Sequence, residues 1–496
     1  MKSISTLFGT LFLILYFTSS VQSKEIVVGS KTFTESVILG EIIKQLVEKE
    51  GIQTRHMSGL GGTRVLWSSL KKGEIDIYPE YTGTLIQEIF SGRKIENTYQ
   101  LRIELQKVGI GMTDPLGFNN TYILGMKKEK AAKLGITSIS HLAKHPGLKI
   151  GFSSEFLDRA DGWPGLKDTY NLTHENVRGL DHDLAYRGLN SGSIDVIDLY
   201  STDAEIDYYN LGTLEDDLNY FPKYFAVILY RLDTKNTYPA VIAKITSLEN
   251  KISEKNMVRM NSEVKIAGVS ESTVASGYIK KTFSITTIPE KSTIISRFLN
   301  NTLDHLVLVF ISLFSAIIIS IPLGILSYKN ESIGRIILGL VGIVQTIPSI
   351  ALLVFMIPLF GIGFVPAVIA LFLYSLLPIV RNTYSGLKDV TVEIKESAEA
   401  IGLPDTARLK LVELPIASRS ILSGIKTSAV INVGTATLAA LIGAGGYGQP
   451  IFTGIRLDNI GLILEGAVPA AVLALLVQAL FGLLEKVFIP RGLRLN

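Results

Sequence analysis

Apolar and polar positions follow two different rhythms along the chain. From Lys24 to about Glu290, short apolar runs bounded by Gly, Ser or Asp are separated by amphipathic stretches. Glu25 to Val28, Ile75 to Tyr78, Leu148 to Phe152 and Ile194 to Leu199 read as strands, and Val37 to Lys49 as a helix. The alternation predicts an α/β domain of two lobes, one from roughly residues 24 to 120 plus 225 to 290 and the other from the stretch between. A ligand would lie in a cleft at the carboxyl ends of the strands.

After the hinge-like stretch Ile285 to Arg297 the rhythm changes to long apolar runs. Leu303 to Leu326, Ile336 to Phe360, Phe364 to Val380, Ile425 to Ala444 and Gly466 to Leu484 are each long enough, or nearly so, for a hydrocarbon core of about 30 Å at about 1.5 Å per residue. Five spans are predicted. Pro322, Pro348, Pro358 and Pro378 are expected to kink them, with neighbouring helices satisfying the freed carbonyls. At the other end of the chain, Lys2, the apolar run Leu7 to Phe17 and the small residues up to Val21, Gln22 and Ser23 read as an export signal over residues 1–23. It is expected either to be cleaved after Ser23 or to remain as an N-terminal anchor.

Composition narrows the classes. A chain of 496 residues with 47% hydrophobic content is too long for one domain and too apolar to be wholly soluble. A net charge of +3 without any basic tract interleaved with aromatics gives no reason to expect nucleic acid as a partner. The absence of cysteine excludes disulfides, thiolate metal sites and a lipid-anchored cysteine. Charge parity adds a topology. With the α/β domain outside, Lys329 and Arg335, then Arg381, Lys388, Lys395, Arg408 and Lys410, then Arg491 and Arg494 all fall on the cytoplasmic side, as the positive-inside rule requires.

One polar segment interrupts the apolar half. Glu393 to Ile401 has helix-forming composition, Gly402 can close a helix in the left-handed conformation, and Pro404 with Asp405 opens a second one. The charges keep this knob out of lipid, while Ala398, Ile401, Leu403, Leu409 and Val412 are candidates to fill a groove on a partner. A solvated connecting loop is the plainer alternative. The whole pattern, with Glu396, the small pair Ser397 and Ala398, Gly402, and Val412 to Pro415 ending in Leu414 and Pro415, resembles the cytoplasmic "EAA" loop of ABC importer permeases, which docks on an ATPase.

The resemblance extends through most of the chain. Gly29 to Glu35 (GSKTFTE), the GLGGT containing Gly61 to Thr63, Gly73 to Thr84 (GEIDIYPEYTGT), Phe156 to Gly162 (FLDRADG) and Tyr200 to Asp203 (YSTD) resemble the binding proteins of the quaternary-ammonium uptake class. That class takes up glycine betaine, carnitine, choline or ergothioneine. Gly434 to Gly448 resembles the permeases of the same class. The resemblance implies a two-lobed periplasmic-binding-protein fold over residues 24–290, fused to an all-α transmembrane permease domain over 291–496 with a coupling loop at 385–420. It implies an aromatic cage at Tyr81, Tyr122, Tyr200 and Tyr224, with Thr84, Phe33 and Thr34 beside it, and ATPase coupling through Glu396, Ala398, Gly402, Leu414 and Pro415.

The chemistry suits such a cage. A trimethylammonium group has no N–H to donate, so recognition falls to aromatic faces, worth about 0.5 to 2 kcal/mol per desolvated contact. Tyr78, Tyr186, Tyr208, Tyr209 and Tyr220 are assigned to structure by default. Arg159 has two readings: a forked pair with a ligand carboxylate, or an ion pair with Asp158 or Asp161. Asp198 and Asp203 either contact the ligand or stabilise the loop at Ser201 and Thr202. Gly443, Gly445 and Gly448 formally spell GxGxxG, but they end a span instead of following a strand, so a tight extracytoplasmic turn is expected. No GxxxxGK[ST] is present, so ATP is expected on a separate subunit and no cofactor on this chain. The six histidines lack metal spacing, no serine sits in GxSxG, and His56, His182 and His305 are read as structural.

The sequence therefore predicts a non-enzymatic importer subunit in the bacterial inner membrane, its binding domain in the periplasm. Its expected partners are a cytoplasmic ATPase dimer, a second copy of itself, membrane lipid and a small quaternary ammonium ligand. The competing reading is a ligand-gated receptor or channel carrying the same kind of sensor domain.

Overall fold

The computed structural model describes residues 25–289 and 293–489; the export segment, Arg491 and Arg494 lie outside them. The first domain carries ten strands: β1 (Ile26–Gly29), β2 (Thr54–Met57), β3 (Ile77–Tyr81), β4 (Ile110–Met112), β5 (Tyr122–Lys127), β6 (Ile150–Ser153), β7 (Val177–Leu180), β8 (Val196–Tyr200), β9 (Leu211–Leu214) and β10 (Ala226–Arg231). They form two five-stranded sheets, ordered β2-β1-β3-β10-β4 and β7-β6-β8-β5-β9.

The two sheets repeat one plan. In each, three strands are parallel neighbours, and a fourth runs antiparallel after the chain has crossed from the other lobe. That antiparallel register places the functional end. Tyr122, first in β5, pairs with Tyr200, last in β8, while Tyr81, last in β3, pairs with Ala226, first in β10. Four strand ends thus meet where the chain crosses between lobes. The strand expected at Ile75 begins two residues later, because Asp76 belongs to the turn, where its carboxylate accepts from the Val27 N–H at 3.0 Å. The helix expected from Val37 begins earlier, at Thr34 after the extended Phe33, so that it runs to Glu48 with Glu35 in its first turn.

The second domain is helical. Among the described residues, four helical segments are long and apolar enough to cross a membrane: Ile294–Lys329, Phe364–Lys388, Asp405–Ile442 and Ile460–Val487. The run expected as a kinked span over Ile336 to Phe360 is instead two helices, Glu331–Thr346 and Ser349–Phe360, bent by 101°. Proline explains the break. It pushes the preceding Ile347 into an extended conformation, and the carbonyl of Ile347 is taken up by the hydroxyl of Tyr374. The pair still links the two ends of the bundle, because Gly334 packs on Ser327 at one end while Ile362 donates to Glu74 of the binding domain at the other. Buried polar groups tie the neighbouring helices: Asn432 Nδ2 donates to Ser312 Oγ at 3.0 Å and Ser428 Oγ to the Ser375 carbonyl at 2.9 Å.

At the end away from the binding domain stands the knob. Helix Val392–Ala400 closes at Gly402, whose φ of 81° needs glycine, and Pro404 precedes a short helix Asp405–Arg408. Ile401 and Leu411 are exposed by 77% and 68%. Ala398 differs from expectation: at 4% exposure it packs within the knob and cannot itself fill a partner's groove. Glu396 stays on the outer surface, and Leu414 and Pro415 open the helix Leu414–Thr435.

Candidate functional site

A cavity of about 650 Å³ lies between the two sheets, and Phe33, Tyr81, Thr84, Tyr122, Arg159, Tyr200 and Tyr224 line it, whereas Thr34, also expected beside the cage, does not. The rings form a continuous chain. Centroid separations are 6.0 Å for Phe33 and Tyr81, 5.8 Å for Phe33 and Tyr200, 5.3 Å for Tyr122 and Tyr200, and 5.6 Å for Tyr122 edge-on to Tyr224. Gly83 is required beside them, since a Cβ there would meet Cε1 of Tyr224 at 2.6 Å. Burial raises the Tyr81, Tyr122, Tyr200 and Tyr224 hydroxyls above the ordinary tyrosine range, so the rings remain neutral phenols. The result is a set of electron-rich ring faces along the cavity wall.

The cage is held from behind by a buried carboxylate. Glu35 accepts from the Tyr81 hydroxyl at 2.6 Å, Asn120 Nδ2 at 3.0 Å, the Thr202 hydroxyl at 2.5 Å and Asn261 Nδ2 at 3.2 Å. These donors come from both lobes and the crossing segments. Burial raises the Glu35 carboxyl above its ordinary range, and the hydrogen bonds from Thr202, Tyr81 and Asn261 work against that shift.

Arg159 is already engaged. Its Nε and Nη2 fork onto Asp161 at 2.9 and 2.6 Å, and its Nη1 reaches Glu88 of the first lobe at 3.1 Å. Asp161 also accepts from the Tyr224 hydroxyl. The ion-pair reading with Asp161 is therefore present in the structure, and the Glu88 contact makes the same arginine a bridge across the cleft. Asp198 accepts from Ser153 N and Oγ, both at 2.6 Å, and Asp203 accepts from the Tyr200 N–H at 2.9 Å and the Tyr186 hydroxyl at 2.5 Å. Asp203 stabilises its own loop and Asp198 ties β8 to the end of β6, while Tyr78, Tyr186, Tyr208, Tyr209 and Tyr220 lie outside the cavity lining.

Three wall residues were not expected at the site from the sequence. Lys31, inside GSKTFTE, pairs with Glu80 at 2.5 Å and stands 5.6 Å from the Tyr81 ring centroid. Its place in a matching motif was the available signal. His182 is more than structural: it lines the cavity and stacks on Tyr200 at 4.5 Å, with Nε2 3.0 Å from Asp203. Burial opposes its charge, yet Asp203 and Asp198 outweigh burial and raise it well above the ordinary histidine value. Arg456 comes from the membrane domain, and no local pattern could have placed it.

The cavity floor is membrane domain. Ile350, Ala440, Leu441, Gln449, Phe452 and Arg456 line it from below. The first lobe is fastened there by Lys72 Nζ, which donates to the carbonyls of Ile357 and Pro358 at 2.8 Å, and by Glu74, which accepts from the Ile362 N–H at 3.0 Å. The glycine turn expected after the fourth span is present, with φ of 78°, 76° and 82° at Gly443, Gly445 and Gly446, and a Cβ on Gly443 would strike Leu60 and Met57 of the binding domain.

Comparison with known proteins agrees with this architecture. Residues 24–281 match the substrate binding domain of ABC-type glycine betaine transport systems, and residues 316–492 match the inner membrane component of binding-protein-dependent transport systems. A choline transport system permease protein of Bacillus subtilis is 40% identical over 196 residues, covering 40% of this chain and 90% of the relative. An ergothioneine transport permease/ergothioneine binding protein of Helicobacter pylori is 32% identical over 274 residues, covering 53% of this chain and 48% of the relative. Among solved structures, a glycine betaine/carnitine/choline ABC transporter is 29% identical with a TM-score of 0.45, covering 52% of this chain and 98% of that one. The chain belongs to the ABC-type glycine betaine transport family, as a multi-pass importer component that joins substrate-binding domain and permease on one polypeptide and leaves ATP hydrolysis to a separate subunit.

Proposed function

We propose that the protein captures a betaine-type quaternary ammonium compound in the periplasm and passes it through its own permease, driven by a cytoplasmic ATPase dimer. The observation that carries this reading is the ring chain of Phe33, Tyr81, Tyr122, Tyr200 and Tyr224 around one cavity whose floor is the permease. Each ring facing a desolvated trimethylammonium contributes about 0.5 to 2 kcal/mol, so several together account for tight binding without a hydrogen bond to the cation. The lobes close on the ligand, and ATP binding to the partner releases it downward.

The basic clusters at Lys329 and Arg335 and around Arg381 to Lys410 support a cytoplasmic position for the knob, opposite the binding domain. The half-pore character of the bundle supports two copies per transporter, each with one ATPase. Glu396, Gly402, Leu414 and Pro415 then form or brace the surface pushed by the ATPase, with Ala398 acting from inside the knob.

Ligand choice turns on the second half of the molecule. Betaine, carnitine and ergothioneine carry a carboxylate and choline does not, and the Arg159 fork is held by Asp161 and Glu88. A carboxylate ligand therefore has to displace Glu88 or use Lys31 and His182. Calorimetry of the purified full chain against glycine betaine, choline, carnitine and ergothioneine tests the proposal. At least one is expected to bind tightly, and no binding by any of the four would overturn it.

A further inference from the structure

One turn of the permease holds both lobes of the binding domain. Arg456 ends the helix Gly448–Arg456, and its Nη2 donates to Glu271 at 2.7 Å while Nη1 reaches the Thr34 hydroxyl at 3.2 Å. Both partners lie in the first lobe. Leu457 packs against the core of the binding domain. Asp458, with a left-handed φ of 50°, pairs with Arg187 of the second lobe. Asn459 then caps the long helix Ile460–Phe488 through Leu462 N at 3.2 Å.

Three consecutive residues therefore touch the receptor, and the turn is continuous with two membrane-domain helices. The first-lobe contact also lands at a sensitive point. Thr34 stands between Phe33, a ring of the cage, and Glu35, the carboxylate that joins the lobes. The two grips are unequal. The side chains of Arg456 and Glu271 are 11% and 15% exposed, whereas those of Arg187 and Asp458 are 46% and 55% exposed. Exposed pairs are screened by water and contribute little, so the second lobe is held the more loosely. Lys72 and Glu74 reinforce only the first lobe.

We propose that the turn at residues 456–459 is a clasp for the receptor domain of the same chain, and that it sets the separation of the two lobes. When its flanking helices move, the first lobe stays fastened, the second swings, and the cleft opens over the permease mouth. This rests on the importer reading above, and the two fail distinguishably, because the intrachain bridge is measured without ligand whereas the cargo is read from ligand binding.

The chain has no cysteine, so introduced thiols are unambiguous. In the full chain reconstituted with its ATPase, Arg187→Cys with Asp458→Cys is treated with a short bis-maleimide and the product identified by mass spectrometry. An intrachain bridge is expected in the absence of ligand. Bridging is expected to lower ATP-driven uptake at least about tenfold relative to the unreacted double variant, while ligand binding persists. As a second measurement, Arg456→Glu is expected to impair uptake, and adding Glu271→Arg to restore it within about threefold of the parent by re-forming the pair with reversed charges. A bridge only between chains, no bridge at all, uptake indifferent to bridging, or no rescue by the charge reversal would each overturn the clasp. Failure of all four candidate ligands to bind would instead overturn the cargo.

Discussion

The cleft and the knob sit at opposite ends of the molecule and are built in opposite ways. Glu35 in the cleft draws its partners from 46, 85, 167 and 226 residues away. Arg408 in the knob bonds Glu399 and Glu413, nine and five residues away. The cleft is therefore a product of the whole fold, whereas the knob is a local structure that keeps Ile401 and Leu411 outside. The difference suits the two tasks proposed for them. A small cation is held by surrounding it, and a protein partner is held by presenting a shaped surface to it.

The contrast can be broken from either end. The largest effect is expected from Glu396→Ala combined with Gly402→Val, because a β-branched side chain is strained at a φ of 81°. ATP-dependent uptake should fall to background while ligand affinity, measured by calorimetry, stays within about twofold. Uptake unchanged in that variant would remove the knob from coupling. Next, Tyr200→Ala or Tyr224→Ala should weaken ligand binding at least about tenfold, a loss of about 1.4 kcal/mol, without altering ATPase association. Parental affinity in both variants would contradict the cage.

A smaller effect is expected from Arg408→Met, which leaves the buried Glu413 without its cation. Uptake should drop about three- to tenfold with the cleft intact, and a changed ligand affinity would show that the two ends are not independent. The smallest effect concerns pH. His182 is raised above the ordinary value of about 6.5 by Asp203 and Asp198, so its contribution to stability is fully present below that value and is lost as pH climbs through the raised folded value. Thermal unfolding of the parent should show declining stability in that range, and His182→Gln should flatten the decline. Identical pH profiles would mean that the imidazole is uncharged in the fold.

The same contrast explains what could be read in advance. The knob was legible because its signals, Gly402, Pro404 and the surrounding charges, act on their neighbours. Only Ala398 was misread, since burial inside a two-helix knob depends on how the helices cross. The cage tyrosines are separated by up to 143 positions from Tyr81 to Tyr224, and no periodicity links them. They became visible through family motifs, while the register that unites them, Tyr122 beside Tyr200 and Tyr81 beside Ala226, is a property of strand pairing. The membrane spans were readable from apolar length, except for the break at Pro348. There composition registered one continuous run, and the turn followed from a single missing N–H and the hydroxyl of Tyr374, which lies in another helix. Arg456 lay beyond any such reading, because its partner Thr34 is 422 positions away.

The covalent link between the domains carries a consequence of its own. The last helix of the binding domain ends at Phe283 and the first membrane helix starts at Ile294, so receptor and permease are joined by residues 284–293. A free receptor has to find its permease by diffusion and must be abundant enough to saturate it. A receptor on so short a tether meets its permease at an effective concentration of the order of millimolar, whatever the number of molecules in the cell. Docking then needs little intrinsic affinity, and an exposed pair such as Arg187 and Asp458 is adequate because it is remade as often as it breaks. The stoichiometry is fixed at one receptor domain per permease domain, so receptor supply never limits the permease separately.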